Sequence, residues 1–229
     1  MELSIYGLEN NIVFDETHVN ILEVKSKKFF SKLLLIINNK YNGIKDGNEI
    51  VLKENNIEID ISKNVFIIFD IFNIEYNSKK ILNKLYTIIA QNVKCSQSFE
   101  LEEIILKFRN FLIKEINELP FEFCMKSDIN IEDVLKLFSL KIDESCYLSI
   151  IEKIEFLIDM IKNLEIAKIL IIPNLKIYLT GEELVEIYKY AKYNEVHLLI
   201  IENNINKDLL EYEKKNIIDE EFDDFVQIL

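Results

Sequence analysis

Short stretches in which apolar and polar residues alternate open the chain, and they predict β-strands around one helix. An apolar segment at 25–39 carries lysines on one side, as a helix half-buried against a sheet does. Asn55 and Asn56 are turn formers, so we expect a hairpin around them. The predicted strands, the last of them apolar enough for burial on both faces, cover residues 3–6, 12–14, 50–53, 57–61 and 64–72.

Helical spacing of apolar residues replaces this pattern in the middle of the chain. It predicts a helix over 78–93 and three more helices, with no strand, between 99 and 164. The last of these has apolar spacings of three and four, typical of a helix that packs lengthwise on another. We therefore expect an elongated α-helical leg domain over residues 94–164.

After residue 167 the pattern of buried strands returns. Residues 168–172 and 196–201 read as strands, and Thr180 with Glu183 forms a capping box that opens a helix to about Tyr193. A strand, a helix and a strand in this order predict a right-handed parallel crossover. The predicted fold class is α/β, with a head domain formed by residues 1–93 and 165–229 and the leg inserted between them.

Composition narrows the class of protein. With 49% hydrophobic and 29% charged residues, the 229-residue chain is expected to fold rather than to be disordered. No apolar run approaches the roughly 18 residues of a membrane span, and no signal peptide is visible. The three cysteines are widely spaced and odd in number, which favours unpaired thiols in a reducing compartment. We expect a cytoplasmic protein without a membrane contact.

The formal charge of −13 argues against a polyanionic partner, but the charges are segregated. Residues 22–53 contain seven lysines and three acids, whereas residues 202–229 contain nine acids and three lysines. Such a chain can place its lysines in one groove and its acids elsewhere. The same charge counts also fit lysines and acids that only form two solvated faces.

Several kinds of active site find no support in the residue pattern. None of the four glycines follows a buried strand as a phosphate loop requires, so a nucleotide site is rejected. Glu202 after an apolar strand resembles the acid of a P-loop ATPase, although many strands end on a polar residue. His18 and His197 suggest no catalytic pair, and no Cys or His spacing suits zinc.

Two groups of charged residues remain as candidates. Four acids, Glu115, Glu118, Glu122 and Asp128, fall around a predicted turn near Pro120, and such oxygen ligands suit calcium. Their spacing matches no EF-hand, and a solvated acidic loop has the same pattern. Lysines at 25, 27, 28 and 32 lie within two helical turns and could contact phosphates without reading bases, or form a solvated face.

The C-terminal part of the chain resembles the small spacer-acquisition protein family of type II-A CRISPR systems, usually called Csn-two. The run AKILIIPNLKIYLTGEELVEIYKYAKYNEVHLLIIEN carries the resemblance: a buried strand, Asn174, a helix opened by Thr180 with Glu183, and a strand that ends at Glu202. An acidic stretch with an aromatic residue, Asp219 to Phe222, then follows. Length, the helical middle and the lysine-bearing first helix also fit.

The resemblance implies a fold and a function. The implied fold is a head similar to P-loop ATPases without a functional phosphate loop, with helical legs inserted. The implied protein is a homotetrameric ring, stabilised by calcium in its legs, whose lysine-lined channel takes double-stranded DNA from free ends. It acts with the CRISPR integrase complex and the type II effector nuclease when new spacers are captured.

Site residues follow from the resemblance by position. Glu118, Glu122 and Asp128 are the implied calcium ligands, although Phe123 and Ser127 stand where relatives carry acids. The lysines implied in DNA binding lie on the first helix and in the leg: Lys25, Lys28, Lys32, Lys136 and Lys141.

The resulting expectation is a non-enzymatic, calcium-dependent ring that binds double-stranded DNA ends without sequence preference, in CRISPR adaptation. One alternative is a protein-interaction scaffold that binds no DNA. A metal-dependent nuclease built on the acidic turn is a second alternative, for which the acids show no hydrolytic arrangement.

Overall fold

A computed structural model describes residues 1–44, 49–96, 98–126, 128–144, 149–203 and 208–228. The chain divides into two compact units. The first unit joins Met1–Glu75 to Ser145–Leu229, and the second unit is Tyr76–Glu144.

The first unit contains two sheets and their helices. The part before the second unit forms β1 (Glu2–Ile5), β2 (Ile12–Val13), β3 (Val19–Val24), α1 (Lys27–Tyr41), β4 (Ile50–Glu54), β5 (Ile57–Ile59), α2 (Ile61–Asn64) and β6 (Val65–Ile67). The second unit contains α3 (Lys79–Ser96), α4 (Ser98–Ile116) and α5 (Ile131–Leu137). The first unit resumes with α6 (Ile150–Asn163), β7 (Ile169–Pro173), a 3₁₀ turn (Leu175–Ile177), α7 (Gly181–Tyr193), β8 (His197–Asn203), β9 (Glu213–Ile218) and β10 (Asp224–Ile228).

The larger sheet is built around β3. Its strand order is β10-β9-β3-β8-β7-β6, and every neighbouring pair except β10–β9 is parallel. All six residues of β3 are buried, as parallel strands covered on both faces are. On one face, Leu22 and Val24 of β3 belong to an apolar cluster that also includes Leu33 and Ile37 of α1.

The smaller sheet is antiparallel, with the order β2-β1-β4-β5. The turn between β4 and β5 is made by Asn55 and Asn56, whose φ angles are 50° and 63°. Two left-handed residues in a two-residue hairpin turn give the twist that the flanking strands need, and asparagine tolerates this conformation. The predicted hairpin is therefore confirmed.

Charged groups are buried on the opposite face of the larger sheet. Lys176 Nζ lies 2.6 Å from Glu213 Oε1, and Lys215 Nζ lies 3.0 Å from Glu23 Oε2. The Tyr188 hydroxyl of α7 also donates to Glu213 Oε1, at 2.8 Å. Because all four charged side chains are at most 6% exposed, each depends on its partner for charge compensation.

The second unit is helical. Asn77 closes it by exchanging two hydrogen bonds with the backbone of Ile142, at 2.8 and 3.0 Å. The Tyr86 hydroxyl on α3 donates to the Leu140 carbonyl at 2.7 Å. Asn130 and Asp133 form a capping box at the start of α5. The Asn77 and Tyr86 bonds connect the end of the unit to its beginning and to its first helix.

The mixed α/β fold class and most predicted elements are confirmed, but the strand assignment was incomplete. Strands β3, β9 and β10 were not predicted, and the strand predicted over 64–72 is confined to β6. It ends there because the Asp70 carboxylate accepts hydrogen bonds from the Phe72 and Asn73 backbone N–H groups, at 2.9 and 3.3 Å, and folds the chain into a turn.

The compact units and the predicted domains divide the chain at different residues. The predicted leg, 94–164, begins inside α3 and ends after α6, whereas the second unit contains all of α3 and excludes α6. Helix α6 goes with the first unit because it contacts α7 and because Ile154, Leu157 and Ile161 on it are fully buried. The domain boundaries at 93/94 and 164/165 stay a prediction.

Glu213→Gln tests the buried ion pairs. The change removes the negative charge that lies against the buried Lys176 ammonium, so we expect the free energy of unfolding to fall by about 3–5 kcal/mol. Urea denaturation measures it, with Glu220→Gln on the exposed β9–β10 hairpin as the matched control. Adding Lys176→Met to Glu213→Gln should restore part of the stability. A decrease below about 1 kcal/mol in the single variant would contradict the assignment.

Candidate nucleic-acid interface

The carboxyl ends of β3, β8, β7 and β6 meet at one edge of the larger sheet, because these strands are parallel neighbours. We call it the carboxyl edge. In open α/β sheets this is the edge at which ligands bind. Only Lys25 and Ser26 connect β3 to α1 here, with no glycine between strand and helix. A glycine-rich phosphate loop has no room in this connection, as the glycine positions in the sequence predict.

Positive charge is concentrated where α1 begins at this edge. Ser26 caps the helix, its Oγ accepting the Phe29 N–H at 3.4 Å, and the first turn contains no acid. Lys27 and Lys28 in that turn are exposed, and Lys25 is half-buried. Lysine charges therefore add to the positive end of the helix dipole, which favours an anion.

Lys32 is exposed one turn further along α1. Its Nζ lies 3.0 Å from Glu49 Oε1, and the two side chains are 60% and 43% exposed. A surface ion pair of this kind contributes roughly 0–1 kcal/mol, so a phosphate can replace Glu49 as partner at little cost. The three first-helix lysines implied in DNA binding, Lys25, Lys28 and Lys32, thus lie on one segment of the first unit.

Lys136 and Lys141 lie in the second unit. Lys136 is in the last turn of α5, and Lys141 follows the helix; both are exposed. Between them in the sequence lie the apolar side chains of Leu137 and Phe138, which are 75% and 76% exposed. A role for these two lysines in DNA binding stays a prediction.

The three implied calcium ligands are all exposed and lie beyond α4. Glu118 follows the helix, and Glu122 and Asp128 lie in the segment before α5. Within the described ranges, which include all three, no group of three or more histidine, cysteine or acidic side chains is arranged to hold a metal ion. The single chain thus does not bring all three carboxylates together as a metal site, and calcium binding stays a prediction. Ser127 lies outside the described residues.

The acidic C-terminal motif has a structural role in the hairpin between β9 and β10. The Asp219 carboxylate accepts the N–H groups of Glu221 and Asp223, at 2.9 and 3.0 Å, and shapes the turn. Phe222 packs edge-on against Phe29 of α1, with ring centroids 5.2 Å apart. This contact places the hairpin beside the start of α1.

Comparison with known proteins decides the family. The family model described as CRISPR-associated protein (Cas_Csn2) matches residues 40–222, well over half of the chain. The chain belongs to the Cas_Csn2 family. The resemblance found in the sequence is thereby confirmed. The protein is a CRISPR-associated protein of the adaptation stage.

One solved structure agrees with the fold of this Cas_Csn2 member. The crystal structure of Stu0660 of Streptococcus thermophilus is similar over the whole chain and 76% of its own length, with 13% identity and a TM-score of 0.58. ATP-binding cassettes of ABC transporters also align: MJ1267 at 15% identity and cbiO1 from Clostridium perfringens at 16%. They cover 95% and 94% of this chain and 87% and 81% of their own, with TM-scores of 0.45 and 0.44, too low to show a shared fold.

The amino edge of the larger sheet carries both histidines of this Cas_Csn2 chain. His18 and His197 line a cavity of about 540 Å³ together with Asp15 and Glu195. Burial lowers the pKa of His197. The His18 ring Nδ1 lies 3.1 Å from Asp15 Oδ1, within a turn that Asp15 organises.

Cys124 in the second unit is an exposed free thiol, as expected, whereas Cys146 lies outside the described residues. None of the helices within the described ranges has the length and apolar character that crossing a bilayer requires.

Asp15→Asn tests the turn at the amino edge. Burial opposes the ionised form, but hydrogen bonds from Thr17 and His18 outweigh it and lower the pKa of Asp15 from 3.8 to about 2. The wild-type carboxylate therefore stabilises the fold above about pH 4 and ceases to do so as the pH falls towards 2. We expect the free energy of unfolding at pH 7 to be about 1 kcal/mol lower in the variant than in the wild type.

Urea denaturation between pH 7 and pH 2 measures this difference. It should shrink below about pH 4, where the wild-type carboxylate is increasingly protonated in the unfolded chain. Glu16→Gln, at an exposed neighbouring position, is the matched control. A difference that stays constant down to pH 2 would assign the effect to packing rather than to charge.

Proposed function

We propose that this protein forms a ring that binds double-stranded DNA ends without sequence preference and without catalysis, during spacer acquisition. Family membership supports the place in CRISPR adaptation. The observation that carries DNA binding is the start of α1, where exposed lysines coincide with a helix N-terminus that has no acid in its first turn. Lysine contacts phosphates as a point charge, which suits binding that ignores base sequence.

The head is proposed to be similar to P-loop ATPases without their nucleotide chemistry. The direct connection from β3 through Lys25 and Ser26 to α1 supports this, since a phosphate loop occupies the same place between strand and helix. The anion bound at this helix start would be DNA phosphate instead of nucleotide phosphate.

Assembly into a homotetramer is supported by apolar side chains exposed in the second unit. Phe99, Phe108 and Phe111 of α4 are 55–78% exposed, and Ile104 is 63% exposed. Apolar side chains gathered on one helix indicate a surface that another protein covers. Calcium bound by Glu118, Glu122 and Asp128 would then require a second copy to complete the ligand set. The CRISPR integrase complex and the type II effector nuclease are the further partners that the proposal includes.

Reversing the charge of Lys25, Lys28 and Lys32 together to Glu tests DNA binding. We expect affinity for linear duplex DNA to fall, and the slope of log affinity against log salt to decrease by about 0.9 for each phosphate that the variant no longer neutralises. Gel shifts at several salt concentrations measure both. The control variant reverses Lys40, Lys63 and Lys189, three lysines of the same unit, and should leave the slope nearly unchanged. An unchanged slope in the first variant would contradict the proposal.

Linear and covalently closed circular DNA of one sequence distinguish a ring from an open surface. A ring loaded from ends binds linear DNA only, whereas an open lysine surface binds both. If neither is shifted at low salt while the tetramer stays intact, the chain is a protein-interaction scaffold. Cleavage with magnesium that Glu122→Ala abolishes would instead support a nuclease.

Removal of calcium tests the metal proposal. Chelation with EGTA, or the variant Glu122→Gln, should dissociate the tetramer, because the carboxylates would repel one another across the interface without the ion. Sedimentation velocity measures the assembly. Glu102→Gln, an exposed acid on α4, is the control and should leave it intact. A tetramer unaffected by EGTA and by Glu122→Gln would refute calcium binding at this turn.

A further inference from the structure

Three exposed aromatic side chains lie at the carboxyl edge of the larger sheet. Phe69 and Phe72 are in the loop that follows β6, and Tyr178 directly follows the 3₁₀ turn after β7. Their exposed fractions are 50%, 53% and 44%. We call these three residues the aromatic platform. Neither the lysine pattern nor the family resemblance pointed to them.

Local contacts hold part of the platform in place. The rings of Phe72 and Tyr178 meet edge-on, with centroids 5.2 Å apart and an interplanar angle of 82°. The Asp70 carboxylate accepts the Phe72 N–H at 2.9 Å and the Asn73 side-chain amide at 2.7 Å. Lys153 Nζ donates to the Phe72 carbonyl at 2.8 Å. Aromatic rings that remain exposed on a loop with these fixed contacts indicate a binding surface.

The sheet topology places the platform at the same edge of the sheet as the lysines at the start of α1. Neighbouring strands lie about 4.8 Å apart, and β3, β8, β7 and β6 follow one another in the sheet. Because β7 ends two residues and β6 four residues short of the end of β3 in register, the end of β3 is about 12 Å from the end of β7 and about 20 Å from the end of β6. A strand of a few nucleotides spans this distance.

Charge decides the direction in which such a strand would run. On the other side of β3, the β9–β10 hairpin carries exposed acids at Glu220, Glu221 and Asp223. These acids repel a phosphate backbone from the β9 side. A nucleic-acid strand whose phosphates contact Lys25, Lys27 and Lys28 is thereby kept from the β9 side, whereas the acid within the platform loop, Asp70, accepts hydrogen bonds from the N–H groups of its own turn.

We propose that the carboxyl edge binds an unpaired stretch at a DNA end, with its phosphates on the α1 lysines and its bases stacked on the aromatic platform. Unpaired bases offer their ring faces to aromatic side chains, and stacking tolerates any sequence. Paired bases inside a duplex are stacked on one another and offer no such face. The inference rests on the proposed function for the lysines, and it adds overhanging or frayed ends as the preferred form of DNA.

Two duplexes with the same paired sequence test the proposal, one blunt and one with an overhang of about four nucleotides that contains 2-aminopurine. Overhangs of both polarities are used. We expect at least one overhang to bind about tenfold more tightly than the blunt duplex, with quenched 2-aminopurine fluorescence. The double variant Phe72→Ala and Tyr178→Ala should abolish this gain and the quenching but keep the affinity for the blunt duplex.

Control variants separate stacking from folding and assembly. Tyr193→Ala, at an 87% exposed tyrosine at the end of α7, should keep the gain, and Phe72→Trp should keep it too. Equal binding of overhanging and blunt DNA by the wild type would overturn the inference and leave the proposed function standing. If a platform variant no longer formed a tetramer but still bound overhanging DNA more tightly than blunt DNA, the platform would be a protein contact and the inference would be wrong. If no DNA bound at all, both proposals would fail.

Discussion

Two buried ion pairs on one face of the larger sheet determine how its strands are arranged. Glu23 is the fifth residue of the central strand, and its charge is compensated by Lys215 from the neighbouring strand β9. Lys176 pairs with Glu213, while its backbone N–H donates to the Glu202 carboxylate at the end of β8. A shift of β9 by one residue would place Lys215 and Glu213 on the opposite, apolar face. Charge compensation therefore favours the observed register of β9 against β3.

The same constraint bears on the chemistry of the carboxyl edge. Glu23 and Glu202 are paired in register near the ends of adjacent strands, next to the short connection that leads into α1. Lys215 compensates the charge of Glu23, and the Lys176 backbone N–H donates to Glu202, so both carboxylates are engaged within the buried layer. The exposed lysines lie outside this layer. The edge can therefore attract phosphates at its surface.

The sequence predicted the elements that short-range backbone chemistry determines. It did not predict the strands that contain buried charged residues. The Asn55–Asn56 hairpin and the Thr180–Glu183 capping box were predictable because short-range backbone chemistry determines them. Strand β3 reads VNILEV, and β9 begins EKKN; their polar residues suggest solvent, yet their partners lie far away in sequence. The platform was missed for a different reason: Phe69 and Phe72 extend an apolar run that suggests a buried strand, whereas β6 ends at Ile67 and Asp70 forms a turn beyond it.

Segregation of charge reconciles a net charge of −13 with the proposed DNA partner. Repulsion by the whole protein decays over about 10 Å at moderate salt, so a phosphate at the edge responds mainly to the nearest side chains. Those at the start of α1 are lysines. The acidic hairpin, held beside them by the Phe29–Phe222 contact, limits this positive surface on the β9 side instead of cancelling it. Net charge then opposes binding to DNA in general, while local charge selects one path along the edge.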